Sequence, residues 1–93
     1  MQFEWDEIKA EANLKKHDVS FKEAETIWDD YFYIDLFDEK HSIEENRFLI
    51  VGESEGKRLL IVSYTERENR VRVISARELT PKERKDYEQG NFE

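Results

Sequence analysis

Lys9, Asn13, Lys16 and His17 recur at i, i+4, i+7 and i+8, the spacing that gathers side chains on one face of a helix. An ammonium group beside an imidazole can hold an anion, and the imidazole can take or give a proton near neutral pH. The same residues also suit a solvated helical face whose terminal histidine offsets the helix dipole. Arginine forms a second pattern. All seven arginines (47, 58, 67, 70, 72, 77 and 84) lie in the second half of the chain. A guanidinium contacts phosphate oxygens two at a time. Arg67 and Arg70 flank Glu68-Asn69, and Arg77 ends the segment that follows. Placed along a sheet, they could clamp a phosphodiester and stabilise charge developing on its oxygens. Ordinary cross-strand pairing with Glu66, Glu68 and Glu78 is the competing use. His41 with Glu44 and Glu45 resembles part of a metal cluster, but a third well-spaced ligand is missing. No Gly-rich phosphate loop, nucleophile elbow or zinc-protease helix is present. Without cysteine, thiol nucleophiles, disulfides and Cys-zinc sites are excluded.

These residues need elements to position them. Residues 1–5 alternate Phe3 and Trp5 with Gln2 and Glu4, as a short strand does. Asp6 is placed to cap a helix over 7–16, and His17-Asp18-Val19 breaks it. Ser20 and Glu23 form the pattern of a capping box, in which each side chain bonds the other residue's backbone. The following helix carries Phe21, Ala24, Ile27 and Trp28 on one apolar face. Residues 31–37 are aromatic and β-branched, which predicts a strand whose rings are mostly core. A polar loop over 38–46 leads to strands over 47–52, 59–65 and 70–76, joined by short turns. In the last strand, strict alternation puts Val71, Val73, Ser75 and Arg77 on one face and Arg72, Ile74 and Ala76 on the other. Thr80-Pro81-Lys82-Glu83 is a second capping box, opening a helix that runs to about Gln89 and stops near Gly90. The predicted order is β-α-α-β-β-β-β-α, an α+β fold with a largely antiparallel sheet.

Ninety-three residues, 38% apolar and 13% aromatic, suit one domain with one core and exclude disorder. No apolar run approaches the roughly 18 residues of a membrane span, and the N-terminus lacks a signal-peptide layout. A cytoplasmic protein is expected, with no membrane partner. The net charge of −8 is uneven: residues 1–46 carry −9 and residues 47–93 carry +1. That balance argues against a general nucleic-acid coat and leaves room for a locally basic site or a basic protein partner.

Phe3-Glu4-Trp5-Asp6, Lys9, Asn13, Lys16-His17, Val19-Ser20-Phe21 and Glu23-Ala24 together resemble the opening of the BrnT toxin family. The resemblance continues through Asp38, His41, Glu45-x-Arg47 and Gly52. It is strongest in Tyr64-Thr65-Glu66-Arg67, Arg72-x-Ile74-Ser75-Ala76-Arg77, Glu83 and Tyr87. Asp18 departs from it, standing where the family usually has glycine. The resemblance implies a RelE-like ribonuclease toxin of a bacterial type II toxin–antitoxin pair, needing no cofactor. It implies a BrnA-type antitoxin with a ribbon-helix-helix module, a 2:2 complex, and operator DNA contacted mainly through the antitoxin. Metal-independent RNA cleavage by 2′-OH attack then needs a proton carrier and cationic stabilisation of the phosphoryl oxygens. On that reading His17, Arg67 and Arg77 are catalytic. Lys9, Asn13, Lys16 and Arg47 position the RNA backbone, and Tyr87 orients substrate. The alternative is a non-catalytic acidic module, or an inactivated toxin relative, that still binds an antitoxin.

Overall fold

The structure, a computed structural model, describes residues 1–92. The elements run β1 (Gln2–Glu4), α1 (Glu7–His17), α2 (Phe21–Glu25), a 3-10 turn (Thr26–Asp29), β2 (Ile34–Phe37), a 3-10 turn (Glu39–His41), β3 (Arg47–Glu53), β4 (Leu59–Arg67), β5 (Arg70–Glu78) and α3 (Pro81–Glu88). The five strands form one sheet in the order β1-β5-β4-β3-β2. Only β1, parallel to β5, departs from the antiparallel pattern. The α+β fold with a largely antiparallel sheet is therefore as expected, with the two 3-10 turns added.

Local chemistry explains the boundaries. The Asp6 carboxylate accepts the Ile8 and Lys9 N–H groups at 2.8 and 3.3 Å and starts α1. Asp18 ends it in the left-handed region at φ 57°. Ser20 caps α2 by accepting the Glu23 N–H at 3.0 Å. The second half of that expected capping box is absent, because the Glu23 carboxylate instead receives the Arg58 guanidinium and the Ser54 hydroxyl. Both halves form at Thr80 and Glu83. Glu68 and Asn69, at φ 50° and 65°, make the two-residue turn between β4 and β5. A turn with both central residues at positive φ matches the twist of the strands it joins.

One face of the sheet is closed by α1, α2 and the first 3-10 turn. Ile50, Leu60, Val62, Tyr64, Val71, Val73 and Ala76 pack there against Val19, Phe21, Ala24 and Ile27. Phe3, Trp28, Tyr64, Phe48 and Phe37 form a continuous run of ring contacts along it, with centroids 5.0–5.7 Å apart. The opposite face is covered at one end only. There α3 seats Tyr87 against Val51, Ile61 and Leu79.

Two expectations change. Residues 31–33 are not strand: Tyr31 and Phe32 are 91% and 73% exposed, and the chain there is turned by Asp30, which accepts the Phe32 N–H at 2.9 Å. Strict alternation in the last strand also fails. A bulge shifts the register so that Tyr64 pairs with Val73 but Ser63 with Ser75, leaving Ile74 as the extra residue. The bulge resets the phase. Val71, Val73 and Ala76 all reach the core, whereas Ser75 and Arg77 turn to the open face that Arg72 already shares.

Candidate active site

The open face is built from cross-strand rows. Leu49 pairs with Ser63 and Ser63 with Ser75; Val51 pairs with Ile61 and Ile61 with Arg77; Arg47 pairs with Thr65 and Thr65 with Arg72. Above Leu49, Ser63, Ile61 and Ser75 lies a cleft of about 450 Å³. Its walls are Lys16, His17 and Arg77 toward β5, and Asp38 and His41 toward β2 and β3.

Lys16 and His17 reach the cleft because α1 ends beside an uncovered margin of β5. β1 pairs only with Arg70–Arg72, so the edge of β5 near Ala76 has no strand partner. Asn13 takes that role. Its side-chain amide donates to the carbonyls of Ala76 and Val19, both at 2.9 Å, and its Oδ1 accepts the Ala76 N–H at 3.1 Å. Asn13 is 8% exposed and all three bonds are to backbone. It positions α1 on the sheet and is not free to bind RNA, which corrects its expected role.

Arg77 is held from α3. Its two terminal nitrogens donate to the two Glu83 oxygens at 2.8 and 3.1 Å, and one also donates to the Glu78 carbonyl at 3.1 Å. These hydrogen bonds from Arg77 hold the Glu83 carboxyl down to about 2, while Glu83 raises the Arg77 guanidinium above its ordinary value. The Arg77 side chain is 39% exposed and lines the cleft, and with five N–H donors its guanidinium has capacity left beyond Glu83 and the Glu78 carbonyl.

Arg67 is elsewhere. Ile61, opposite Arg77, and Arg67 lie six positions apart on β4, a span of roughly 20 Å. Arg67 stands at the hairpin tip in a forked pair with Glu45, at 3.1–3.2 Å. Arg67 and Arg77 therefore stand at opposite ends of the β4–β5 hairpin, too far apart to hold one phosphate between them. Arg47 lines a neighbouring hollow with Lys40, His41 and Glu45. Lys9 is exposed two turns before Lys16 on α1, about 10 Å away. Tyr87 packs under α3 and donates its hydroxyl to the Phe32 carbonyl at 3.4 Å. Burial pushes its phenol up, with the Asp30 and Glu53 carboxylates adding to the effect.

The cleft adds residues that sequence reasoning had not placed in it: Asp38, His41, Ser63 and Ser75. The signal for two of them was present, since Asp38 and His41 are i and i+3 in a turn. Among the described residues no group of three or more His, Asp or Glu side chains is arranged to hold a metal ion.

The geometry gathers two imidazoles, a lysine, a carboxylate and a carboxylate-braced arginine around one cleft. A family model described as ribonuclease toxin, BrnT, of type II toxin–antitoxin system matches residues 5–83. The chain is also similar to the crystal structure of the Brucella abortus ribonuclease toxin, BrnT, with a TM-score of 0.67 and 25% sequence identity, covering 86% of this chain and 97% of that one. No curated protein is a significant match.

Proposed function

This chain belongs to the BrnT family of type II toxin ribonucleases, and from that premise we propose that it cleaves RNA without a metal, at the open-face cleft, by attack of a ribose 2′-OH on the adjacent phosphodiester. The observation that carries this reading is the convergence of Lys16, His17 and Arg77 on one cleft. Arg77, fixed by Glu83, supplies guanidinium hydrogen bonds to the phosphoryl oxygens as charge develops on them. Lys16 binds the same phosphate or its neighbour. His17 carries a proton in the reaction. Arg47 and Arg67 lie along β3 and β4 beyond the cleft, where they contact flanking phosphates, and Lys9 extends the same cationic track along α1.

Neutralisation falls to a BrnA-type antitoxin with a ribbon-helix-helix module, in a 2:2 complex that contacts operator DNA through the antitoxin. A protein of net charge −8 suits a partner with basic surface. The chain acts as a single cytoplasmic domain; none of its described helices is long and apolar enough to cross a membrane.

The test is incubation of the purified, antitoxin-free protein with total RNA in excess EDTA, beside Arg77→Ala. The expected result is cleavage that persists in chelator and falls about 10²–10³-fold in the variant. Intact RNA, even with ribosomes added, would overturn the reading. One observation favours a second one, a non-catalytic antitoxin-binding module: Arg58, Arg67, Arg70, Arg72 and Arg77 all carry carboxylate partners, which lowers the positive potential of the sheet. Expression without antitoxin separates the two, since a nuclease arrests growth and a binding module does not.

A further inference from the structure

On the β2 side of the cleft, the His41 Nδ1 lies 2.9 Å from the Asp38 carboxylate. The Asp38 side chain is only 12% exposed, whereas the imidazole is 61% exposed. The turn that carries them is fastened to the start of β3. The Asp38 N–H donates to the Arg47 carbonyl at 2.8 Å, the Ser42 hydroxyl donates to the Asp38 carbonyl at 2.6 Å, and the Arg47 N–H donates to the Ser42 hydroxyl at 2.9 Å. A carboxylate on Nδ1 fixes the tautomer with its proton there and leaves the Nε2 lone pair free. His17 enters the same cleft from the other side, at the end of α1 beside β5. Two strand spacings, roughly 10 Å, separate β3 from β5, with Ser63 and Ile61 of β4 between them. A phosphodiester set over that floor has one imidazole on each side.

We infer that His41, positioned by Asp38, is the general base of the cleft and that His17 is its general acid. This deepens the ribonuclease reading and rests on it. His41 Nε2 takes the proton of the 2′-hydroxyl as the 2′-oxygen bonds to phosphorus. The bond from phosphorus to the 5′-oxygen breaks, and that oxygen receives the proton of a His17 imidazolium. The products are a 2′,3′-cyclic phosphate end and a 5′-hydroxyl end. Proton exchange with water then restores both imidazoles. An acid and a base on opposite sides of the phosphorus suit in-line displacement, in which the attacking and leaving oxygens lie opposite each other.

The roles separate with a leaving group that needs no proton. An RNA oligonucleotide is made with sulfur in place of the bridging 5′-oxygen at the position the wild type cuts, because a thiolate departs unprotonated. His41→Gln is expected to slow the normal and the sulfur-bridged RNA alike, by about 10²–10⁴-fold. His17→Gln is expected to slow the normal RNA by a similar factor and to cut the sulfur-bridged RNA within a few-fold of wild type. Asp38→Asn lowers kcat by less than His41→Gln, and the double variant is no slower than His41→Gln alone, as a residue acting through His41 requires. Thermal melts check that each variant is folded.

Wild-type rates in folded His41→Gln would overturn the proposal while leaving the ribonuclease reading intact. Rescue of His41→Gln, rather than His17→Gln, by the sulfur substrate would overturn the assignment of roles. A wild type that cleaves neither RNA, with or without ribosomes, would overturn both the proposal and the reading beneath it.

Discussion

The two faces of the sheet use the same residue types for opposite ends. On the helix-covered face polar groups are tied to one another. Asn13 completes the β5 edge, Tyr64 donates to the Asp35 carboxylate at 2.8 and 2.9 Å, and Arg58 joins Glu23 to the Asp18 carbonyl. Burial, with the Asp35 bond second, pushes the Tyr64 phenol far above its ordinary value. On the open face Lys16, His17, His41 and Arg77 surround a cleft, and the fixed groups among them are fixed at one end only. The lesson is that an asparagine or arginine in a functional-looking pattern is read by what remains free on it. Asn13 and His17 sit four positions apart on one helix, yet one serves the covered face and the other the cleft.

That division can be attacked from either side. The largest effect is expected at Phe21→Ala, which empties a fully packed position against Trp5, at a cost of about 4 kcal/mol in urea unfolding. If the faces are separate, molecules still folded should cleave RNA at nearly the normal rate; a parallel loss of specific activity would show that they are not. Asn13→Ala comes next. It strips partners from the Ala76 N–H and from two carbonyls, costing about 2–3 kcal/mol by the same measurement. Because Ala76 borders the cleft, this variant should lower cleavage as well as stability.

Glu83→Gln sharpens the comparison through pH. The folded carboxyl is held at about 2, below its usual 4.5, so its ionised form stabilises the fold above the usual value and that contribution is lost as pH falls through about 2. Wild type should exceed the variant by about 1 kcal/mol at neutral pH, a gap that narrows below about 4.5 and closes near 2 in acid titration of stability. Cleavage at neutral pH should also fall, since Arg77 loses its brace. The smallest effect belongs to Asp18→Gly. A side chain at φ 57° is strained, and glycine should raise stability by about 0.5 kcal/mol, or roughly 2–4 °C in Tm, with cleavage unchanged.

Much of this was legible beforehand. Capping residues and alternation marked every strand and helix in order, and the resemblance included Lys16, His17, Asp38, His41, Ser75, Ala76 and Arg77 of the cleft but not Leu49, Ile61 or Ser63 of its floor. What escaped was non-local. No pattern within residues 70–77 reveals the extra residue Ile74, so Arg77 was assigned with the wrong neighbours. The partner of Arg67 is Glu45, in a loop 22 residues earlier. Asn13 shares its spacing with Lys9 and Lys16, and only the position of Ala76, 63 residues later, shows what it does. The rings of residues 31–33 carry strand propensity, but the Asp30 carboxylate accepts the N–H groups of both Phe32 and Glu53, so pairing with β3 begins only at Ile34.

The parallel pairing of β1 also bears on the order of assembly. β3, β4 and β5 are neighbours in sequence and can zip together through short turns, whereas Gln2 must find Arg70, 68 residues away. Closing so long a loop is slow, and contacts of high sequence separation dominate folding time. Glu4 secures the join with salt bridges to Arg70 and Arg72, both partly open to water. β1 is thus the last strand to be seated, and by the same reasoning the seam between β1 and β5 is where hydrogen exchange should begin.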